Sequence, residues 1–277
     1  MTNILVGIDG AVGTITIDRP QRFNSLDVET ARDLRKAGLQ LARDKDVRAV
    51  VLRGSGGVFC SGADLKEVAS CQLPVACDFR PATGNGQPAT YGAVFKQVLE
   101  YIHSTISEIR RAPKPFIAAV DGIAAAGGFG LAMACDLVVA SERATFEWAY
   151  SKTGLTGAES STFMLPRLIG LRRSFELLLL NPRIDAERAL DIGLINLIYP
   201  TTIFDHDVHQ LALRLASGPT EAYGIAKELL NQAAGMDRLD FHLDRELDSL
   251  ARIAGGANFA EGIDAFFDKR PAAFGVK

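Results

Sequence analysis

An α/β fold built on a largely parallel sheet, followed by a helical segment, is the class this chain predicts. Three observations carry the expectation. Short apolar runs stopped by glycine or charge recur through residues 1–200. Helical periodicity lies between them, so strand, helix and strand alternate as in βαβ units. After about Thr201 the strand-like runs cease and only helical patterns remain.

The elements follow in order. Val12–Ile17, "VGTITI", alternates and is β-rich, and the "DRP" after it ends the strand. Residues 27–44 carry apolar side chains at helical spacing and finish in charges. Residues 48–54, "RAVVLRG", form a short apolar run ended by glycine, the signature of a buried strand. Residues 115–122, "PFIAAVDG", and 136–141, "DLVVAS", read the same way. Residues 71–91 break the pattern: they are rich in Pro, Gly, Ala and Thr, show no period, and predict a long irregular loop of the functional or mobile kind. Four helices are expected over 204–216, 220–234, 237–254 and 259–267. The division that results is a core over 1–200 and a C-terminal helical module over 201–277.

Composition excludes several classes. The 277 residues are 48% hydrophobic and 23% charged, enough to bury a substantial core. A net charge of -3 without a dense basic block gives no sign of nucleic-acid binding. No window reaches the length of uncharged apolar residues that a membrane span needs, and "MTNILVGIDG" does not read as a signal peptide. Cys60, Cys71, Cys77 and Cys135 show no metal-ligand spacing and are too sparse for a disulfide framework, so reduced thiols and a cytoplasmic location are expected. His206 and His209 stand three apart on a helix without a further ligand nearby, which fits a solvated pair better than a metal site.

The stretch "DGIAAAGGFGLAMACD" over 121–136 raises the chemical question. Adjacent glycines between a strand and a helix permit close backbone approach and leave amides at a helix N-terminus. They fit an anion or oxyanion cradle, and equally the tight packing of helix on strand. Neither G-x-G-x-x-G nor G-x-x-x-x-G-K-[ST] is present, so a nucleotide fold is not indicated. A second segment, "VFCSGADLKE", follows a strand with small residues and opens a helical pattern.

Together with "ITIDRPQRFNSLD", "PKPFIAAVDGIAAAGGFGLAMACDLVVASERATF", "LPRLIGLRRSFELLL", "DAERALDIGLINLIYP" and "FFDKRPAAF", that segment resembles the enoyl-CoA hydratase/isomerase (crotonase) superfamily over nearly the whole chain. The resemblance implies a ββα superhelix, or spiral fold, whose C-terminal helices serve oligomerisation and pocket closure. It implies an acyl-CoA substrate, no separate cofactor beyond the coenzyme A of that substrate, and a homotrimer or dimer of trimers. It assigns the amides of Ala63 and Gly127 to an oxyanion hole for the thioester carbonyl, where one such donor is typically worth about 3 kcal/mol. It offers Arg22, Lys66 and, across a subunit boundary, Lys269 for coenzyme A, and Asp64, Gly130, Trp148 and Tyr150 for the substrate pocket.

The acids depart from the pattern. Members that hydrate carry one glutamate three residues after the oxyanion glycine, here Gly130, and another at the position of Tyr150. Hydration needs one group to activate water and one to deliver a proton. "SKTGLTGAESST" instead resembles the single-acid isomerases, whose aspartate aligns with Ala158, next to Glu159. Glu159 is one methylene longer than that aspartate. Its other reading is a helix-terminal acid placed for the dipole. His103 matches the general-base histidine of the hydrolytic aryl-CoA dehalogenases of this superfamily, whose attacking aspartate again aligns with Ala158. Three readings follow: a double-bond isomerase using Glu159; a hydratase or hydrolytic variant using His103; and a non-catalytic acyl-CoA binder that kept the cradle.

Overall fold

The structure is a computed structural model and describes residues 3–70 and 90–275. The expected loop over 71–91, with Cys71 and Cys77, falls outside the described residues up to 89; Thr90 and Tyr91 already cap and begin a helix. In chain order the elements are β1 (Ile4–Asp9), β2 (Val12–Ile17), α1 (Val28–Arg43), β3 (Ala49–Gly54), α2 (Leu65–Ser70), α3 (Tyr91–Arg111), β4 (Phe116–Val120), β5 (Ile123–Ala125), α4 (Gly127–Ala134), β6 (Leu137–Ser141) and β7 (Thr145–Glu147). They continue with α5 (Ser161–Ile169), α6 (Leu171–Leu180), β8 (Ile184–Asp185), α7 (Ala186–Asp191), β9 (Leu197–Tyr199), α8 (Phe204–Ala216), α9 (Thr220–Ala233), α10 (Leu239–Ala254) and α11 (Ala257–Asp268).

Six strands form the main sheet in the order β1-β2-β3-β4-β6-β9. Only the edge pair β1–β2 is antiparallel; every other neighbour is parallel. A second sheet, β5-β7-β8, lies apart from it. The chain winds between the two. From β4 it steps to β5 and then into α4, and from β6 to β7. From β3 it passes through Cys60, which bridges in parallel to Ala124 of β5, and then enters α2. Each turn of this winding is strand, strand, helix.

Alternation along the central strands fills both faces of the main sheet. Ile15, Val50, Leu52, Phe116, Ala118 and Val138 point into the larger core with α1, α3 and α10. Ala49, Val51, Ile117, Ala119 and Val139 point the other way, onto Phe204, Val208, Leu211 and Ala212 of α8. A parallel sheet buried on both faces reads as the continuous apolar runs seen in the sequence. Within 201–275 the segment is helical, as expected, but its helices pack into the core rather than on one another alone: α8 covers the sheet and α10 lies along α3.

Candidate active site

The site lies where two chain segments run side by side. The 58–63 segment bonds to the start of the second sheet: Cys60 donates its N–H to Ile123 O at 3.1 Å, and Ala125 donates to Cys60 O at 2.9 Å. A Cβ at Gly128 would stand 2.7 Å from the Cys60 carbonyl carbon, so only glycine admits this approach. Gly62, at φ +92, touches the next turn in the same way, and a Cβ there would lie 2.9 Å from the Gly127 nitrogen. The glycines thus permit the close approach of the two segments.

Ala63 and Gly127 each follow a residue at positive φ: Gly62 at +92 and Ala126 at +47. Among the described residues neither amide is given to a protein acceptor, and both residues line one cavity of about 370 Å³. The Ala63 side is clamped from the 18–27 segment. Leu26 donates to Gly62 O at 2.8 Å, Asp64 donates its N–H to Leu26 O at 3.0 Å, and the Arg19 guanidinium joins Asp27 at 2.7 Å to Asp64 at 3.1 Å.

Three acids reach the cavity: Asp64, Glu147 and Glu159. Two are already committed. Asp64 pairs with Arg19 and accepts the Lys66 amide at 3.1 Å at the start of α2. Glu147 is held by Lys152 and by Arg183 at 3.1 Å. Glu159 has no cation on it among the described residues. Its Oε2 accepts the Tyr150 hydroxyl, while a Cβ at Gly127 would stand 2.7 Å from its Oε1. The carboxyl thus faces the cradle with one oxygen free. It is 3% exposed, and burial pushes its pKa up to about 7; the Tyr150 hydrogen bond works against that shift and nearby Glu246 adds to it. Burial and the same carboxylate raise the Tyr150 phenol well above its ordinary value, so Tyr150 stays a donor.

Several expected pocket residues stand elsewhere. His103 reaches the site from α3 but does not line the cavity. It is 6% exposed, and its Nε2 accepts the Glu159 backbone N–H at 3.2 Å. That bond leaves Nε2 as the lone-pair nitrogen, and burial, aided by His242, lowers the imidazole pKa to about 4. Its lone pair is turned to the Glu159 backbone rather than to a water in the cavity. Gly130 lies behind the wall: a Cβ there would overlap the Glu159 carbonyl oxygen and stand 3.0 Å from the Glu159 Cβ. The position left without an acid is thus packed by the backbone of the acid from the next loop. Trp148 also sits behind the wall, buried edge-on to Tyr150 with ring centroids 5.3 Å apart. Arg22, Lys66 and Tyr150 do line the cavity. Lys269 lines a neighbouring depression with Lys152, Phe266 and Arg270, of which Lys152 and Phe266 also border the main cavity. His209 pairs with Asp9 at 3.4 Å, and among the described residues no group of three His, Cys, Asp or Glu is placed to hold a metal. No helix among them is long and apolar enough to cross a membrane.

One site residue escaped the sequence reading. Glu246 of α10 is 4% exposed and accepts the amides of Ser160 at 2.8 Å and Thr162 at 2.9 Å, directly beside Glu159. The signal was present: a glutamate on the stripe Leu239, Leu243, Leu247 and Leu250 lies on the buried face of an amphipathic helix.

Residues 7–277 match the model of the enoyl-CoA hydratase/isomerase family. The chain is 34% identical to the 1,2-epoxyphenylacetyl-CoA isomerase of Escherichia coli K12 over 275 residues, 99% of this chain and 98% of that enzyme. It is 32% identical to 4-chlorobenzoyl coenzyme A dehalogenase-2 of an Arthrobacter species over 258 residues, 93% of this chain and 88% of that one. The crystal structure of an enoyl-CoA hydratase from Mycobacterium avium subsp. paratuberculosis superposes with a TM-score of 0.84 at 30% identity, covering 99% of both chains. The fold is the crotonase fold. The chain belongs to the enoyl-CoA hydratase/isomerase family and is an acyl-CoA thioester-processing enzyme of that group.

Proposed function

We propose that the protein is an enoyl-CoA double-bond isomerase that works through an enolate held by the amides of Ala63 and Gly127, with Glu159 as its single proton carrier. The observation that carries the reading is the placement of Glu159 Oε1 against Gly127, with Oε2 occupied by Tyr150 and no cation on the carboxyl among the described residues. Two preorganised amides lower the cost of negative charge on the thioester oxygen as a proton leaves the α or γ carbon. Glu159 takes that proton and returns it to the other carbon, so the double bond moves and the mass does not. The pKa of about 7 suits the task, because a carrier works best when its pKa lies near the operating pH. Arg22 and Lys66 at the cavity rim suit the phosphates of coenzyme A.

The test is incubation with a 3-enoyl-CoA, followed by ultraviolet absorbance of the conjugated product and by mass. Isomerisation at constant mass is expected, and gain of one water would replace this reading by a hydratase. In Glu159→Gln, kcat should fall by about 10²–10⁴-fold while KM changes little. Because the base is the ionised form, wild-type kcat should rise with pH through about 7. A Glu159→Gln enzyme within twofold of wild type would remove Glu159 from the mechanism.

A further inference from the structure

The backbone that carries Glu159 is unusual. Glu159 and Ser160 stand in succession at φ +50 and +63, in the left-handed region that residues other than glycine disfavour. The turn opens α5, whose N-cap Ser160 makes no side-chain capping bond. Two other helices take up its amides instead. The Glu159 N–H goes to His103 on α3. The N–H groups of Ser160 and Thr162 go to the two oxygens of Glu246 on α10, and the Thr162 hydroxyl also donates to Glu246. Glu246 thus caps α5 from eighty-odd residues away; burial pushes its pKa up to about 7, so it carries the negative charge that the helix dipole favours as pH rises through that value.

Packing alone does not explain the choice of residue. Glu246 lies on a stripe of leucines, where a leucine would fill the space without burying a charge. What a leucine could not do is accept the donors of this turn. We propose that Glu246 is a positioning residue for the reaction: by holding the amides of Ser160 and Thr162 it fixes the left-handed turn that aims Glu159 Oε1 at Gly127. The inference rests on Glu159 being the proton carrier.

The groups facing Glu246 set what its removal does to charge. They are His103 from α3, with Nε2 at 3.9 Å; Glu159 and Tyr150 from the far side of the turn; and His242 on α10 itself, at 3.7 Å. Burial lowers the His242 pKa, and Arg167 and Arg245 depress it further. Of the two carboxyls, Glu246 raises Glu159. Replacing Glu246 with a neutral residue removes that contribution and lowers the Glu159 pKa; water admitted by a loosened turn lowers it too, so the charge effect is read as the difference between Glu246→Gln and Glu246→Asp.

The experiment uses the full chain and two variants. In Glu246→Gln, kcat on the 3-enoyl-CoA should fall about 10- to 100-fold, because a misaimed carboxyl loses the reacting geometry, while KM stays within about twofold. Carboxyl NMR of 13C-labelled glutamate should show Glu159 titrating at lower pH than in the wild type. In Glu246→Asp the charge stays but the oxygens withdraw by one methylene, so kcat should fall while the Glu159 titration stays near the wild-type value. Wild-type kcat in both folded variants overturns the proposal, and so does a kcat loss matched by an equal rise in KM. If Glu246→Gln does not fold, the kcat and KM of Glu246→Asp decide by the same criteria. Full activity in Glu159→Gln would instead sink the role of Glu159, whereas an inactive Glu159→Gln beside normal Glu246 variants sinks only the inference drawn on Glu246.

Discussion

Glu159 holds a position that costs the fold stability. Its positive-φ backbone, like that of Ser160 and Ala126, costs on the order of 1–3 kcal/mol per residue. Its burial has a further consequence. A carboxyl whose pKa rises from 4.5 to about 7 on folding binds its proton more tightly in the folded chain. Stability from this group is therefore fully present below about pH 4.5 and is lost as pH rises through about 7; the rise from 4.5 to about 7 makes the linkage worth on the order of 3 kcal/mol. Glu159→Gln, neutral at every pH, should raise the melting temperature at pH 8 and leave it nearly unchanged at pH 5, as read by calorimetry. A melting temperature at pH 8 no higher than that of the wild type would mean that the carboxyl is not held in the buried state described. The segments that carry Ala63 and Gly127 stood out in the chain as small residues between a strand and a helix, and Glu159 only as the carboxylate next to Ala158. His103 was legible as a residue but not as an acceptor of the Glu159 amide, since that bond joins positions 56 apart. Glu246 is further away still, and only its place on a leucine stripe sets it apart from the other acids of α10.

Among the elements, α8 decides most about the scaffold. Phe204 is buried against Val12, Val51 and Val139 on the sheet face turned away from the larger core. Phe204→Ala should cost about 3–5 kcal/mol in denaturant unfolding. Turnover per folded molecule should stay near wild type, because no residue of α8 lines the cavity. A loss below 1 kcal/mol would show that the sheet face does not depend on this cover. The helix was readable from period alone over 204–216, and so were the apolar runs of β3, β4 and β6. The strands that escaped are the ones that periodicity describes poorly. β1 is an edge strand exposed along most of its length, and only the Asp9–Gly10 turn marks its hairpin with β2. β5, β7, β8 and β9 span three residues or fewer, too short for any period to emerge.

At the scale of the whole molecule, the boundary near residue 200 separates kinds of secondary structure, not bodies that fold apart. Removing 201–277 would uncover the sheet face under α8, strip α10 from α3, and take Leu250 and Phe266 from the cavity wall. The 1–200 fragment should therefore show no cooperative unfolding transition, and a fragment that melts like a native domain would refute this. The contact between Gly130 and Glu159 bears on how such an enzyme changes over time. A side chain at 130 and the present course of the 159–160 turn exclude each other, because the Glu159 carbonyl fills the room that a Cβ would need. Under the proposed mechanism, a lineage carrying this turn cannot acquire a glutamate at 130 by one substitution and keep Glu159 in place. The turn must move first, and moving it withdraws Glu159. With Glu159 as the proton carrier, the two ways of placing an acid beside Gly127 are separate peaks, and a path between them crosses an inactive intermediate unless both sites change together.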